Sequence, residues 1–200
     1  MQAGLYGIPA LGLSFLLTVL LARIGIPILQ AKKMGQPIRD DGPESHHAKS
    51  GVPTMGGLLM VIPVLIAGLL FGRSWHGVLV LLGMLSLGGV GFIDDYEKLM
   101  KKQSLGLNER QKLLLQLAVA AVLVLLYALA DPLHRYVYLP MAAEGVNFSV
   151  LIYPLLVFVL VGCVNATNLT DGLDGLNSLV SLFVFFAYAW IAARQQQWEV

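Results

Sequence analysis

Charged residues are scarce in this chain: they make up 12% of its 200 residues, whereas 57% of the residues are hydrophobic. A soluble domain carries about a quarter of charged residues, so this composition excludes an ordinary soluble protein. The single cysteine excludes a disulfide framework and the paired Cys/His spacing of a zinc site. Basic residues are also lacking ahead of the first apolar run, which excludes the charged start of a signal peptide. We therefore expect an integral membrane protein whose first apolar run is a true span.

Six apolar stretches are candidates for membrane spans, at residues 5–22, 54–72, 77–93, 113–130, 149–164 and 176–193. A helix needs about 17 to 25 residues to cross the hydrocarbon layer, and the fifth stretch is the shortest. The predicted fold class is an all-α integral membrane protein, a polytopic helical bundle of about six transmembrane helices. We expect residues 1–200 to form a single transmembrane domain with both chain ends on the same side.

Lysine and arginine are unevenly distributed between the two sets of loops. Three lie on one side, Arg73, Arg135 and Arg194. Ten lie on the other: Arg23, Lys32, Lys33, Arg39, Lys49, Lys98, Lys101, Lys102, Arg110 and Lys112. The positive-inside rule then places the loops near residues 24–53, 94–112 and 165–175 in the cytoplasm, and both chain ends outside.

Asp94 and Asp95 end the third apolar run. An Asp at the centre of a bilayer helix costs about 2.5 to 3.5 kcal/mol, so carboxylates kept this close to a span suggest a function. Lys98 and Lys102 follow Asp94 at four-residue steps, so all three share one face if the helix extends past the bilayer. The alternative is a solvated helix end with supporting ion pairs. Carboxylates at the C-terminal end of a span oppose the helix dipole, which suggests compensation by a metal or a lysine.

Four polar residues recur at every third position after the fifth run: Asn165, Asn168, Asp171 and Asp174. On one continuous helix they would form a slowly rotating polar stripe, but Gly172 and Gly175 are equally compatible with a break. Both arrangements bring amide and carboxylate oxygens to the membrane surface, where they suit Mg²⁺ and the polar groups of a nucleoside. The structural alternative for the two carboxylates is helix capping.

Lys49 and Thr54 lie at the entrance of the second run, after a loop rich in proline and glycine. There an ammonium and a hydroxyl can meet an anionic group without entering hydrocarbon. Taken alone, Lys49 fits a snorkelling topological anchor better than a binding residue.

Four motifs occur in order along the chain: Gln36-Pro-Ile-Arg-x-Asp-Gly-Pro43, Lys49-x-Gly-x-Pro-Thr-Met-Gly-Gly57, Gly91-Phe-Ile-Asp-Asp-Tyr-x-Lys98 and Asn168-Leu-Thr-Asp-Gly-Leu-Asp-Gly-Leu176. Together they resemble the phospho-N-acetylmuramoyl-pentapeptide transferase family, part of the polyprenyl-phosphate N-acetylhexosamine-1-phosphate transferase superfamily. The resemblance covers nearly the whole chain. One departure is Val52, where members of the family commonly carry threonine.

The resemblance implies transfer of phospho-MurNAc-pentapeptide from UDP-MurNAc-pentapeptide to undecaprenyl phosphate, giving lipid I and UMP, with Mg²⁺ as cofactor. It implies Asp94 as the base or nucleophile-activating carboxylate and Asp95 as its catalytic partner. The implied metal ligands are Asp95 and Asn168. Lys98 and Lys102 would lie near the lipid phosphate or the pyrophosphate. The implied residues of the nucleoside side are Lys49, Thr54, Asn168, Asp171 and Asp174.

The resemblance also implies a bacterial inner-membrane protein, embedded in the lipid bilayer with its active site facing the cytoplasm. A homodimer is the implied oligomeric state, and no nucleic-acid partner is expected. The family normally continues for several more spans, which carry another essential Asp and a His-rich loop. We therefore expect an N-terminal portion of a longer transferase, whose parent protein carries the activity.

Other functions stay open. A sister transferase hands GlcNAc-1-phosphate from UDP-GlcNAc to the same lipid with similar acidic residues, although the Lys49–Gly57 and Asn168–Leu176 motifs favour the muramoyl branch. A transporter would place its acids near the bilayer midplane, whereas these lie at span ends on one side. A third alternative is that the isolated chain is a non-catalytic scaffold.

Overall fold

The computed structural model of the protein describes residues 4–31, 55–72, 74–101, 106–130, 136–137, 144–171, 173 and 175–194. The described helices are α1 (Gly4–Ala31), α2 (Leu58–Phe71), α3 (Trp75–Lys101), α4 (Glu109–Ala130), α5 (Ile152–Thr170) and α6 (Leu176–Arg194). A 3₁₀ turn at Ser149–Leu151 leads into α5. The predicted all-α membrane fold is confirmed.

The helices differ in length from the apolar runs that predict them. Five are long and apolar enough to cross a membrane, and α2, with 14 residues, is shorter than a span requires. The fifth apolar run, the shortest of the six, lies within a candidate span of 22 residues, Ser149–Thr170. Helices α1 and α3 both continue past their predicted apolar runs, α1 through mostly apolar residues to Ala31 and α3 through mostly charged residues to Lys101. A helix can do so because it satisfies its backbone hydrogen bonds in water as well as in lipid.

Two compact units divide the chain, one formed by residues 1–112 and 192–200 and the other by residues 113–191. In the first unit, glycines let helices approach closely. A Cβ at Gly25 of α1 would lie 2.5 Å from Leu59 Cδ2 of α2, and one at Gly68 of α2 would lie 2.7 Å from Leu81 Cδ2 of α3. Small residues play this role at helix contacts in membranes, where van der Waals packing drives association.

The buried residues of the second unit lie mainly along α4. Gln116, Ala120 and Val124 follow one another at four-residue steps on one face of that helix, and all three are buried. Val161 of α5 is also buried. The unit further contains an antiparallel pair of two-residue strands, β1 (Tyr136–Val137) and β2 (Val146–Asn147), which sequence analysis does not predict.

Large apolar side chains cover the outer surfaces of the described helices. Those on α6 are an example: Phe183, Phe185 and Phe186 are each about 70% exposed, and no described residue of α6 is buried. A soluble protein rarely exposes apolar patches of this extent. Lipid-facing helices do so as a rule, because the bilayer solvates them.

Candidate active site

Helix α3 carries the adjacent carboxylates of Asp94 and Asp95 about two turns before its end. The helix continues through them to Lys101, so Asp94 and Lys98 share one face, as expected of a helix that extends past the apolar run. Lys98 Nζ lies 2.7 Å from Asp94 Oδ2 and 3.0 Å from Asp95 Oδ1. A single ammonium therefore bridges both carboxylates, and the predicted compensation by a lysine is present.

The three bridged side chains differ in exposure. The Asp94 side chain is 10% exposed, against 33% for Asp95 and 24% for Lys98. A carboxylate as buried as that of Asp94 is costly unless it is paired and hydrogen-bonded. Asp95 is the carboxylate that an incoming ligand can reach more easily.

Asp94 has a second partner, which comes from the segment that follows α3. The backbone N–H of Leu107 donates a hydrogen bond of 2.9 Å to Asp94 Oδ1. Lys98 contacts Oδ2, so each carboxylate oxygen of Asp94 is held by a different element. The bond has the ordinary length of a backbone N–H···O hydrogen bond.

Hydrogen bonds at the start of α4 fix the backbone next to Leu107, the residue whose N–H binds Asp94. The Asn108 side chain accepts a hydrogen bond of 2.8 Å from the Gln111 N–H, and the Gln111 side chain accepts one of 3.2 Å from the Asn108 N–H. This reciprocal pair is a capping box at the N-terminus of α4. The carboxylate of Asp94 therefore also lies next to the N-terminal end of α4, whose dipole favours a negative charge.

The neighbouring ion pair of α3 behaves as a solvated helix end. Glu97 and Lys101 pair at a spacing of four residues, and the Lys101 side chain is 53% exposed. Exposed pairs of this kind contribute at most about 1 kcal/mol to stability. The structural alternative thus applies to Glu97 and Lys101, while Asp94 and Asp95 are held differently.

In the second unit, a polar contact ties α5 to α4. The Asn165 side-chain amide donates hydrogen bonds of 2.7 Å to Gln116 Oε1 and of 2.8 Å to the Val161 carbonyl oxygen. Gln116 is 1% exposed. Because polar groups buried in apolar surroundings need partners, this pair fixes how α5 is rotated against α4.

Helix α5 ends at Thr170, so the predicted polar stripe does not continue along one helix. Asp171 occupies the C-cap position, and its N–H donates to the Thr167 carbonyl oxygen at 3.2 Å. Gly175 adopts a positive φ of 80° before α6 begins, a conformation that glycine favours. The break is the correct alternative, and it brings Asn168 and Asp171 to the end of α5.

Some predicted site residues cannot be placed. Lys49, Thr54, Lys102 and Asp174 lie outside the described residues. Among the described parts of the chain, no three His, Cys, Asp or Glu side chains converge on one metal position. The carboxylates of Asp94 and Asp95 nevertheless offer the hard oxygen atoms that Mg²⁺ prefers, and Mg²⁺ often takes only one or two protein carboxylates besides phosphate and water.

Two residues that bind the predicted polar side chains are not predicted from the sequence. One is the Leu107 amide, which the capping pattern Asn-Glu-Arg-Gln at residues 108–111 signals only indirectly, by predicting a helix start there. The other is Gln116, a lone amide in an apolar run, where a buried polar residue suggests a partner on a neighbouring helix.

Comparisons with known proteins agree with the motifs. Residues 77–200 match the model of glycosyl transferase family 4. The chain is 40% identical over 155 residues to a phospho-N-acetylmuramoyl-pentapeptide-transferase of Clostridioides difficile (strain 630), covering 77% of this chain and 48% of that protein. It is 39% identical over 194 residues to the enzyme of the same name from Bacillus mycoides (strain KBAB4), covering 94% of this chain and 60% of that protein.

The two alignments cover most of this chain but only part of each relative. The chain spans about half to three fifths of the length of the two relatives. The family model covers the carboxylate pair, the bridging lysine, the start of α4 and the end of α5. The chain therefore belongs to glycosyl transferase family 4.

Proposed function

We propose that the full-length transferase, this chain continued past Val200, moves phospho-MurNAc-pentapeptide from UDP-MurNAc-pentapeptide to undecaprenyl phosphate. The products are lipid I and UMP. The observation that carries this proposal is the adjacent Asp94 and Asp95 pair bridged by Lys98 at the end of an apolar helix. Relatives that bear the enzyme's name, at 39% to 40% identity, support the same reaction.

The reaction needs positioning and charge neutralisation more than covalent chemistry. An oxygen of the lipid phosphate forms a bond to the phosphorus attached to the sugar, and the bond from that phosphorus to the UMP oxygen breaks. Asp94 acts as the base that removes the proton of the lipid phosphate. Its carboxylate is held at both oxygens, and each oxygen keeps a second lone pair for the proton.

Lys98 and Asp95 provide the charge balance of the site. The ammonium of Lys98 lies between the two carboxylates, and it can turn towards a phosphate oxygen when substrate arrives. Asp95, which is the more exposed carboxylate, and Asn168 would hold Mg²⁺. When bound, this cation neutralises charge on the transferring phosphates. Lys102 would join Lys98 on the phosphates.

The end of α5 supplies the nucleoside side of the proposed site. Asn168 and Asp171 lie in the last turn and at the C-cap of α5, so their amide and carboxylate groups can meet hydroxyl and imide groups. Lys49, Thr54 and Asp174 complete this side of the proposal. The protein would work in the bacterial inner membrane as a homodimer, with the site open to the cytoplasm.

The test is UMP release by detergent-solubilised protein supplied with Mg²⁺ and undecaprenyl phosphate. The donors compared are UDP-MurNAc-pentapeptide and UDP-GlcNAc, and the proteins are the 200-residue chain and the full-length transferase. We expect release only from the full-length transferase with the muramoyl donor. Release from UDP-GlcNAc alone would instead assign the sister reaction, and no release from either donor would reject both.

Variants of the full-length transferase test the roles of the carboxylates. We expect Asp94→Asn and Asp95→Asn each to lower transfer by about 10²-fold or more, because each removes an ionised group from the reacting centre. Both proteins should still insert into the membrane. Glu97→Gln is the matched control on the same helix, and it should keep transfer within about twofold. Wild-type rates in either Asp variant would remove that residue from the mechanism.

A further inference from the structure

The residues between α3 and α4 have a feature that the proposed function does not use. We propose that the segment Gly106–Asn108, called the Gly106 turn below, is a positioning element for the carboxylate of Asp94. This inference rests on the proposed function. It assigns a role in transfer to Gly106 and Asn108, neither of which carries a charge or belongs to the proposed catalytic or binding residues.

Two segments of the chain contact the carboxylate of Asp94, one at each oxygen. Lys98 lies on the same helix as Asp94 and ends in a flexible four-carbon side chain, so its contact leaves the carboxylate plane free to rotate. The Leu107 N–H belongs to the backbone of another segment and binds the other oxygen. Contacts at both oxygens from two directions fix the orientation of the plane.

A side chain at position 106 would not fit against α3. A Cβ at this position would lie 2.7 Å from Asp94 Oδ1 and 3.0 Å from the Asp94 carbonyl carbon, and it would come closer still to the carbonyl oxygen. Two of these three atoms belong to the backbone of α3, which cannot yield as a flexible side chain can. Glycine therefore allows the turn to approach α3 closely enough for the Leu107 hydrogen bond.

Hydrogen bonds at the start of α4 anchor the Gly106 turn. Asn108 is the N-cap of α4 and exchanges two hydrogen bonds with Gln111, so the residue after Leu107 is fixed to a helix of 22 residues. The turn thereby transmits the position of the first turn of α4, which lies in the same compact unit, to the carboxylate of Asp94. A base has to be placed within a fraction of an ångström to work, since a misplacement of about 1 Å costs up to about 10²-fold in rate.

The kinetic test uses the full-length transferase with Gly106→Ala. We expect kcat to fall about 10- to 100-fold while KM for UDP-MurNAc-pentapeptide stays within twofold, because the carboxylate moves and the nucleoside side does not. Gly88→Ala is the matched control: it is the same change on α3, at a glycine where a Cβ meets nothing within 4 Å. Equal kcat values for the two variants would overturn the proposal.

A second pair of variants keeps the proposal testable if Gly106→Ala does not fold. Asn108→Ala removes the N-cap, and Asn108→Asp keeps it, since both residues are good N-caps. We expect Asn108→Ala to lower kcat at unchanged KM. Asn108→Asp should keep kcat near the wild-type value. A loss in both variants, or in neither, would contradict a positioning role for the cap.

Hydrogen exchange supplies a readout that does not depend on activity. The Leu107 amide should exchange faster in Asp94→Ala than in Asp95→Ala, because only the first variant removes the acceptor. Equal exchange rates would overturn the proposed contact. If the wild-type transferase releases no UMP while this difference is seen, the proposed function fails and the contact of the Gly106 turn with Asp94 stands.

Discussion

At the scale of single residues, the arrangement of Asp94, Asp95 and Lys98 separates a functional cluster from an ordinary helix end. Two adjacent carboxylates repel each other, and burial of one of them increases the cost. The single ammonium between them offsets this cost. Lys101, three residues further along α3, pairs with Glu97 in solvent and carries no such constraint.

This difference gives a prediction for the two lysines. Lys98→Met in the full-length transferase should lower transfer by about 10²-fold or more, because it removes one charge-stabilising donor from the site. It should also lower the melting temperature in detergent, since a hydrogen bond to a charged group contributes about 1.5 to 3 kcal/mol. Transfer rates and thermal unfolding measure the two effects.

Lys101→Met is the control for this prediction, with the same chemical change three residues along the same helix. Its transfer rate and melting temperature should stay near the wild-type values, because its ion pair is exposed. If the two lysine variants behave alike, the bridge between Asp94 and Asp95 has no special role.

Much of the cluster is predictable from sequence because its contacts are local. Asp94 and Lys98 stand one helical turn apart, so helical periodicity alone brings them together. The Leu107 contact is thirteen residues distant from Asp94 and uses a backbone N–H, which leaves no mark on residue type. Residue patterns therefore predict the bridge and miss the Gly106 turn.

At the scale of helices, the Gln116–Asn165 hydrogen bond joins two apolar elements that otherwise offer little to fix their register. Lipid is as apolar as a leucine side chain, so burial of leucine does not orient one membrane helix against another. An amide pair does, because its hydrogen bond is directional. Asn165 lies one turn before Asn168, so the pair also sets the rotation of the helix end that carries Asn168.

We predict that Asn165→Leu and Gln116→Leu each destabilise the protein, by about 0.6 to 2 kcal/mol. The double variant should be less destabilised than the sum of the two, since each single change already removes the Gln116–Asn165 hydrogen bond. Unfolding in mixed detergent micelles measures the three free energies. Thr167→Ala, which removes only a hydrogen bond to the Cys163 carbonyl oxygen within α5, is the control. Additive losses would show that the two amides act independently.

Helix existence follows from sequence better than helix length does. Apolar composition predicts each described helix, because a backbone in lipid has to satisfy its own hydrogen bonds. It does not predict that α3 continues eight residues past Ile93, to Lys101, since five of those eight residues are charged. It also misses the pairing of β1 with β2, because strands of two residues are too short to show a period-2 pattern.

At the scale of the whole molecule, the distribution of charge predicts which ends of the helices face the cytoplasm. Five basic residues lie at the end of α3, at the start of α4 and in the segment that joins them: Lys98, Lys101, Lys102, Arg110 and Lys112. The segment between α4 and α5 carries one, Arg135. Anionic lipids and the insertion machinery retain lysine and arginine on the cytoplasmic side. A nucleotide-linked donor is made in the cytoplasm, so the proposed reaction requires the same orientation of the carboxylate pair.

Single cysteines test this orientation in the Cys163→Ser background, which removes the only natural thiol. Glu109→Cys, at the first residue of α4, should react with a membrane-impermeant maleimide only after the cells are permeabilised. Glu144→Cys, between β1 and β2, should react in intact spheroplasts. Both positions are exposed, so reactivity reports the side of the membrane and not burial. The reverse pattern would place Asp94 and Asp95 on the outer side, away from any UDP-linked donor, and would reject the orientation and the proposed transfer together.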